Sequence, residues 1–173
     1  KLENIMLRKC PDGPGIPVIA DFGSVGPVFT PLTSRADAAR VEEDVAKHTS
    51  LEYRAPELLE PKRLPHGPKE NLNYAKCDVW ALGCVFFAIL YGSSPFEIEW
   101  GISFVGEPAD GTARLTICTP DLIRGDIRFP PGGSAAERRY SESFRELIEC
   151  ILNKDRYERL SCENVAGRVQ MML

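Results

Sequence analysis

A chain of 173 residues holds one domain of ordinary size or a large piece of a bigger one, with no room for a second complete domain. Hydrophobic residues at 43% and charged residues at 27% are globular proportions, which exclude a disordered tail or a collagen-like repeat. With 21 Lys+Arg against 25 Asp+Glu the formal net charge is -4, so there is no basic field for phosphate backbones and nucleic acid is not a favoured partner.

The six cysteines (Cys10, Cys77, Cys84, Cys118, Cys150, Cys162) form no C-x-x-C pair and there are two histidines, His48 and His66, so a zinc site is not expected. Several of these thiols lie in apolar runs where cysteine behaves as a small hydrophobe, which points to a reduced, intracellular protein, with disulfides the alternative. The first residues, Lys1-Leu2-Glu3-Asn4, show neither an initiator Met nor a signal peptide, and are expected to follow an internal cut in a longer chain.

Nine of the fourteen prolines precede residue 70, so the first third is expected to be short strands and loops and the remainder mainly helical. Residues 3–7 and 17–20 are brief apolar runs on either side of Pro11-Asp12-Gly13-Pro14-Gly15, the pattern of a small antiparallel hairpin. Residues 36–47 (ADAARVEEDVAK) are rich in helix formers with apolar residues on one side, the pattern of a short surface helix that Ser34 could cap. Residues 79–91 (VWALGCVFFAILY) are apolar without interruption but short of the roughly 20 residues of a membrane span, so no transmembrane segment is expected. They read as a central core helix, with Asp78 as N-cap and Gly92 as the stop. Residues 97–131 show little periodicity and are expected to be loop with at most one short helix. Residues 143–152 place Phe144, Leu147, Ile148, Ile151 and Leu152 at helical spacing, and Ser161 opens a last helix running to Leu173.

Chemistry concentrates in four landmarks. Asp21-Phe22-Gly23 follows the apolar run Val18-Ile19-Ala20, and a carboxylate at a strand end beside a glycine suits a metal ion. Asn4 lies seventeen residues before it, and Ala55-Pro56-Glu57 and Asp78-Val79-Trp80-Ala81-Leu82-Gly83 come after. Taken singly, each is a common turn or helix fragment.

Their order resembles the C-terminal half of a eukaryotic protein kinase. The resemblance implies a protein-kinase-like C-terminal lobe, α+β and mostly α-helical with a small β-hairpin, the N-lobe absent. Residues 1–173 would then be a partial kinase domain, from the end of the catalytic loop to the last helices, with residues 21–57 as the activation segment.

Lys1 and Asn4 match the end of a catalytic loop that begins His-Arg-Asp, so the catalytic base is expected two residues before Lys1, outside the chain. By resemblance, Asn4 and Asp21 are ligands of Mg²⁺ bridging the ATP phosphates, and Lys1 lies on the transferred phosphoryl group. Ser50, five residues before Ala55, matches the Ser/Thr that contacts the catalytic base and Lys in kinases acting on serine or threonine. Phe22, Gly23, Glu57, Asp78 and Arg159 take structural roles: Glu57 would pair with Arg159, and Asp78 would hydrogen-bond the catalytic loop. Arg159 lies in Asp155-Arg156-Tyr157-Glu158-Arg159-Leu160-Ser161, which lacks both prolines of the family's D-P-x-x-R-P-T, so the turn there is expected to be looser.

Within the kinases, Asp21-Phe22-Gly23-Ser24-Val25-Gly26, the helical insert and Thr49-Ser50-Leu51-Glu52-Tyr53-Arg54-Ala55-Pro56-Glu57-Leu58 resemble the Numb-associated kinase family, closest to its myristoylated and palmitoylated serine/threonine kinase branch. That implies ATP and Mg²⁺ as cofactors, Ser/Thr of proteins as substrates, and a cytoplasmic location, peripheral at the Golgi or another membrane through an acylated N-terminus outside this sequence. Thr30, Thr33 and Ser34 offer hydroxyls for phosphorylation. The opposing class is a pseudokinase or truncated kinase-fold scaffold that binds proteins without transferring phosphate; intact Asn4 and Asp21 argue against it.

Overall fold

A computed structural model describes residues 1–11, 13–101 and 112–173. Its elements run in the order β1 (Ile5–Cys10), β2 (Gly13–Ile19), β3 (Phe29–Pro31), α1 (Arg35–His48), β4 (Asn71–Asn73), α2 (Tyr74–Tyr91), β5 (Ile98–Trp100), β6 (Ala113–Leu115), α3 (Pro120–Arg124), α4 (Glu142–Ile151) and α5 (Cys162–Met172). The strands form three separate two-stranded antiparallel ribbons, β1 with β2, β3 with β4 and β5 with β6.

The first hairpin is longer than its apolar runs suggest. Its register runs from Ile5 opposite Ile19 to Cys10 opposite Gly13, with an irregularity between Arg8 and Cys10. Gly13, Pro14 and Gly15 of the Pro/Gly stretch expected as a turn therefore open β2, and Asp12 lies outside the described residues. Pro17 fits opposite Leu7 because a two-stranded ribbon has only edge strands, where a missing N–H can face solvent.

Helix α1 begins where its capping chemistry places it. Ser34 is the N-cap, its Oγ accepting from the Asp37 amide at 3.2 Å, and Asp37 adds negative charge to the first turn. Ala38, Val41 and Val45 recur at helical spacing and are all buried, while most of the other residues are exposed, so α1 is the expected surface helix with one face packed on the core.

Helix α2 corrects the expected boundary. It starts at Tyr74, with the Asn73 carboxamide oxygen accepting from the Lys76 amide at 3.3 Å, so Asn73 is the N-cap and Asp78 lies inside the helix. Gly92 ends it as expected, at φ 88°, a left-handed conformation that costs glycine no Cβ clash. At 18 residues α2 is long and apolar enough, by length and composition, to cross a membrane. Burial in the domain accounts for that composition: Cys77, Val79, Trp80, Cys84, Val85, Phe87, Ala88 and Leu90 are all enclosed.

The main core gathers Leu32, Ala38, Val41 and Val45 of α1, Trp80, Cys84 and Phe87 of α2, Ile123 of α3, Ile148 of α4 and Leu152. Trp80 stacks on Phe96 with centroids 5.7 Å apart, and Phe87 meets Phe129 at 5.5 Å. A smaller cluster joins Val79 to Leu147, Ile151 and Val165, tying α4 and α5 to α2. Gly83 makes the α2–α4 approach possible: a Cβ there would lie 2.6 Å from Ile151 Cγ2 and 2.8 Å from Leu152.

Helices α4 and α5 arise close to the expected limits, N-capped by Ser141 and Ser161, the latter in a reciprocal capping box with Asn164. The stretch 97–131 departs from expectation. Besides α3 it carries β5 and β6, paired from Ile98 opposite Leu115 to Trp100 opposite Ala113, while residues 102–111 lie outside the described residues.

Candidate active site

The first hairpin brings Asn4 to Asp21. Because Ile5 pairs with Ile19, the residues just outside the ribbon are forced together, and the Ala20 amide donates to the Asn4 carbonyl at 2.8 Å. Asn4 Nδ2 then donates to Asp21 Oδ2 at 3.4 Å across a separation of 17 residues. Asp21 sits at φ 62° and is the one non-glycine positive φ among the described residues. That left-handed backbone costs on the order of 1 kcal/mol or more for an L-residue, offset in part because Asp Oδ1 accepts from the Gly23 amide at 3.3 Å.

The carboxylate accepts from Asn4 and is otherwise exposed to solvent. The Asn4 amide uses its nitrogen on Asp21, leaving its oxygen free. Two adjoining hard oxygen donors in an open setting fit Mg²⁺, which takes few protein ligands and fills its octahedron with water and phosphate oxygens. Among the described residues no group of three or more His, Cys, Asp or Glu is arranged to hold a metal.

The second assembly is buried. Arg159 Nη1 and Nη2 donate to Glu57 Oε1 and Oε2 at 2.7 and 2.9 Å, a bidentate pair spanning 102 residues, with 1% of Arg159 and 7% of Glu57 exposed. Arg159 also donates to the Lys76 and Asn153 carbonyls at 2.8 Å, and its guanidinium lies 5.0 Å from the Trp80 ring centroid. Lys76 Nζ returns a hydrogen bond to the Arg159 carbonyl. The turn that lacks both family prolines is thus fastened by backbone contacts, with Asp155 Oδ1 accepting from the Tyr157 amide at 2.8 Å. Cys77 Sγ lies 3.4 Å from Glu57 Oε1, and burial, reinforced by the Glu57 charge, pushes its thiol far above the ordinary range, so it stays protonated as a donor.

The remaining singled-out residues are more loosely placed. The Lys1 side chain is exposed and makes no hydrogen bond or ion pair among the described residues. Ser50 is partly buried, its carbonyl accepting from the Tyr53 amide at 3.2 Å while its hydroxyl caps nothing. Gly23 serves as the donor to Asp21, whereas Phe22 is 69% exposed and packs into no core cluster. Asp78 is open to solvent, although neighbouring atoms crowd its carboxyl enough to raise it above the usual carboxylate range.

Two connections went unread in the sequence. Tyr53, whose phenol is raised above its ordinary range chiefly by burial, lies close enough to the Leu2 backbone for that backbone to pull it back down in part. Arg54 donates from Nε to Thr49 Oγ1 at 2.8 Å and from Nη2 to the Thr49 carbonyl at 3.0 Å. No periodicity or spacing announces either contact, since one joins segments far apart in the chain and the other depends on how the end of α1 is seated.

Set beside known proteins, residues 1–169 match the protein kinase domain family model, and the chain belongs to that family. A Dictyostelium discoideum protein named a probable serine/threonine-protein kinase is 30% identical over 158 residues, covering 91% of this chain and 37% of the relative. A second so named from the same organism is 35% identical over 172 residues, covering 99% of this chain and 12% of the relative. The serine/threonine-protein kinase ENV7 of Saccharomyces cerevisiae is 35% identical over 156 residues, covering 90% of this chain and 37% of the relative. The chain therefore spans well under half the length of these relatives. Protein kinases as a family use ATP and Mg²⁺ and act on proteins.

Proposed function

We propose that this chain is the C-terminal lobe of a serine/threonine protein kinase that transfers the ATP γ-phosphoryl group to serine or threonine of protein substrates. The observation that carries the reading is the convergence of Asn4 and Asp21, two oxygen donors 17 residues apart, beside a segment anchored by the Glu57–Arg159 pair. Asn4 and Asp21 would hold the Mg²⁺ of Mg·ATP, which when bound offsets charge on the phosphates during transfer. Asp21 is held in place by Gly23 and Asn4, so the carboxylate is oriented before the nucleotide arrives. Glu57 and Arg159 fix the end of residues 21–57, and with it the stretch around Ser50, where the acceptor hydroxyl would be received.

Exposed apolar side chains support a covering lobe. Met6, Leu7 and Ile19 of the first hairpin are 62%, 72% and 68% exposed, and Phe22 and Val25 are 69% and 74% exposed. A two-stranded ribbon with this much apolar surface is marginal alone. The upstream half of a kinase would cover it and close over ATP. Within the family, the ordered helix α1 in the 21–57 segment supports the Numb-associated branch, with cytoplasmic, membrane-peripheral residence through upstream acylation as its consequence.

The two histidines, His48 and His66, stand in His-Thr-Ser and His-Gly-Pro, so residues 1–173 include no His-Arg-Asp. Phosphate transfer to a generic Ser/Thr protein with Mg·ATP should therefore be absent from the 173-residue chain and present once the upstream kinase half is joined to it. Absence of transfer from the joined protein would favour a non-catalytic scaffold.

A further inference from the structure

The last carbonyls of α1 have no partners within the helix and must find donors elsewhere. Thr49 supplies the first, its amide and Oγ1 reaching the Val45 carbonyl at 3.1 and 2.8 Å. Arg54 adds three more contacts at this end: Nε donates to Thr49 Oγ1 at 2.8 Å, and Nη2 to the Thr49 carbonyl at 3.0 Å and the Val45 carbonyl at 3.4 Å. The guanidinium thus grips Thr49 from two sides and reaches back into the helix. Val45 is 3% exposed in the core, and Ala55, directly after Arg54, is fully buried. The loop 49–54 is consequently pinned at both ends to packed structure, with Ser50 next to the gripped residue.

We propose that Arg54 is a positioning residue that couples helix α1 to the acceptor-binding loop around Ser50. The inference rests on the kinase reading given above and adds to it how the acceptor side is held. Three acceptors met by two nitrogens of one planar group require the guanidinium fork; a lysine ammonium at the end of a flexible stem cannot reproduce it. Asn4 and Asp21, on the nucleotide side, share no hydrogen bond with Arg54 among the described residues. Loss of the clamp should therefore weaken capture of the protein substrate and leave nucleotide binding as it was.

The experiment uses the kinase with its upstream half, comparing wild type with Arg54→Met, which keeps the apolar stem, and Arg54→Lys, which keeps the charge. The KM for a serine peptide should rise about tenfold in both, with the KM for ATP unchanged and the amides of residues 48–51 exchanging about tenfold faster. Unchanged KM values, or a parallel loss in both substrates accompanied by a lowered Tm, would overturn the proposal, as would full rescue by lysine. If wild type itself transfers no phosphate, the kinase reading fails separately. Exchange then decides the clamp: unaltered protection at residues 48–51 in Arg54→Met overturns it, and faster exchange upholds it.

Discussion

Arg159 and Glu57 meet through two parallel hydrogen bonds of 2.7 and 2.9 Å although 102 residues separate them. Neither group has enough access to water to be solvated alone, so removing one partner strands the other. Glu57→Ala or Arg159→Ala in the full kinase should each cost about 3–5 kcal/mol of stability. The double variant should lose less than the sum, with a coupling of about 0.5–3 kcal/mol in a denaturation cycle. Strictly additive losses would show that the pair does not form in solution.

Gly83 faces the opposite problem, too little space. An alanine Cβ would come within 2.6 Å of Ile151 Cγ2, so Gly83→Ala should destabilise by about 1–3 kcal/mol through overpacking. Helix propensity alone predicts the reverse sign, a gain of up to about 1 kcal/mol. A thermal melt separates the two, and a raised Tm would mean that α2 and α4 lie further apart than described.

Acid should loosen the start of α1. Hydrogen bonds from Thr33 and then Ser34 hold the Asp37 carboxyl below its ordinary range. A folded value below the unfolded one means that the carboxylate contributes stability above the unfolded pKa, about 3.9, and loses it as pH falls through the folded value. Exchange protection in residues 35–39 should accordingly fall below about pH 4. Asp37→Asn should flatten that dependence; an identical acid slope in the variant would assign it to other carboxylates.

The sequence made some of these features legible because their causes are local. Ser34 and Ser161 announce their helices through capping, and Gly92 announces the stop of α2, since each depends only on neighbours a few residues away. The start of α2 was hidden because Tyr74-Ala75-Lys76-Cys77-Asp78 interrupts the apolar run while continuing the helix, which made Asp78 look like a cap in place of Asn73. The three-residue strands β3 to β6 are too short to show alternation and exist through distant pairing, such as Thr30 opposite Leu72. At the site, motif order made the pairings of Asn4 with Asp21 and of Glu57 with Arg159 readable by resemblance, while the hairpin register that joins the first pair appears only in the structure. Carbonyl acceptors at Lys76 and Asn153, and the grip of Arg54 on Thr49, carry no side-chain signature at all.

The most direct measurement is phosphate transfer by Asp21→Asn in the full kinase, taken together with its melting curve. The substitution preserves volume and removes the charge that would hold Mg²⁺, and Asp21 is exposed and outside the core clusters. Turnover should fall by about a hundredfold or more while Tm stays within about 2 °C. Retained turnover, or a loss of activity matched by an equal loss of folded protein, would contradict Asp21 as the metal-holding carboxylate of a kinase.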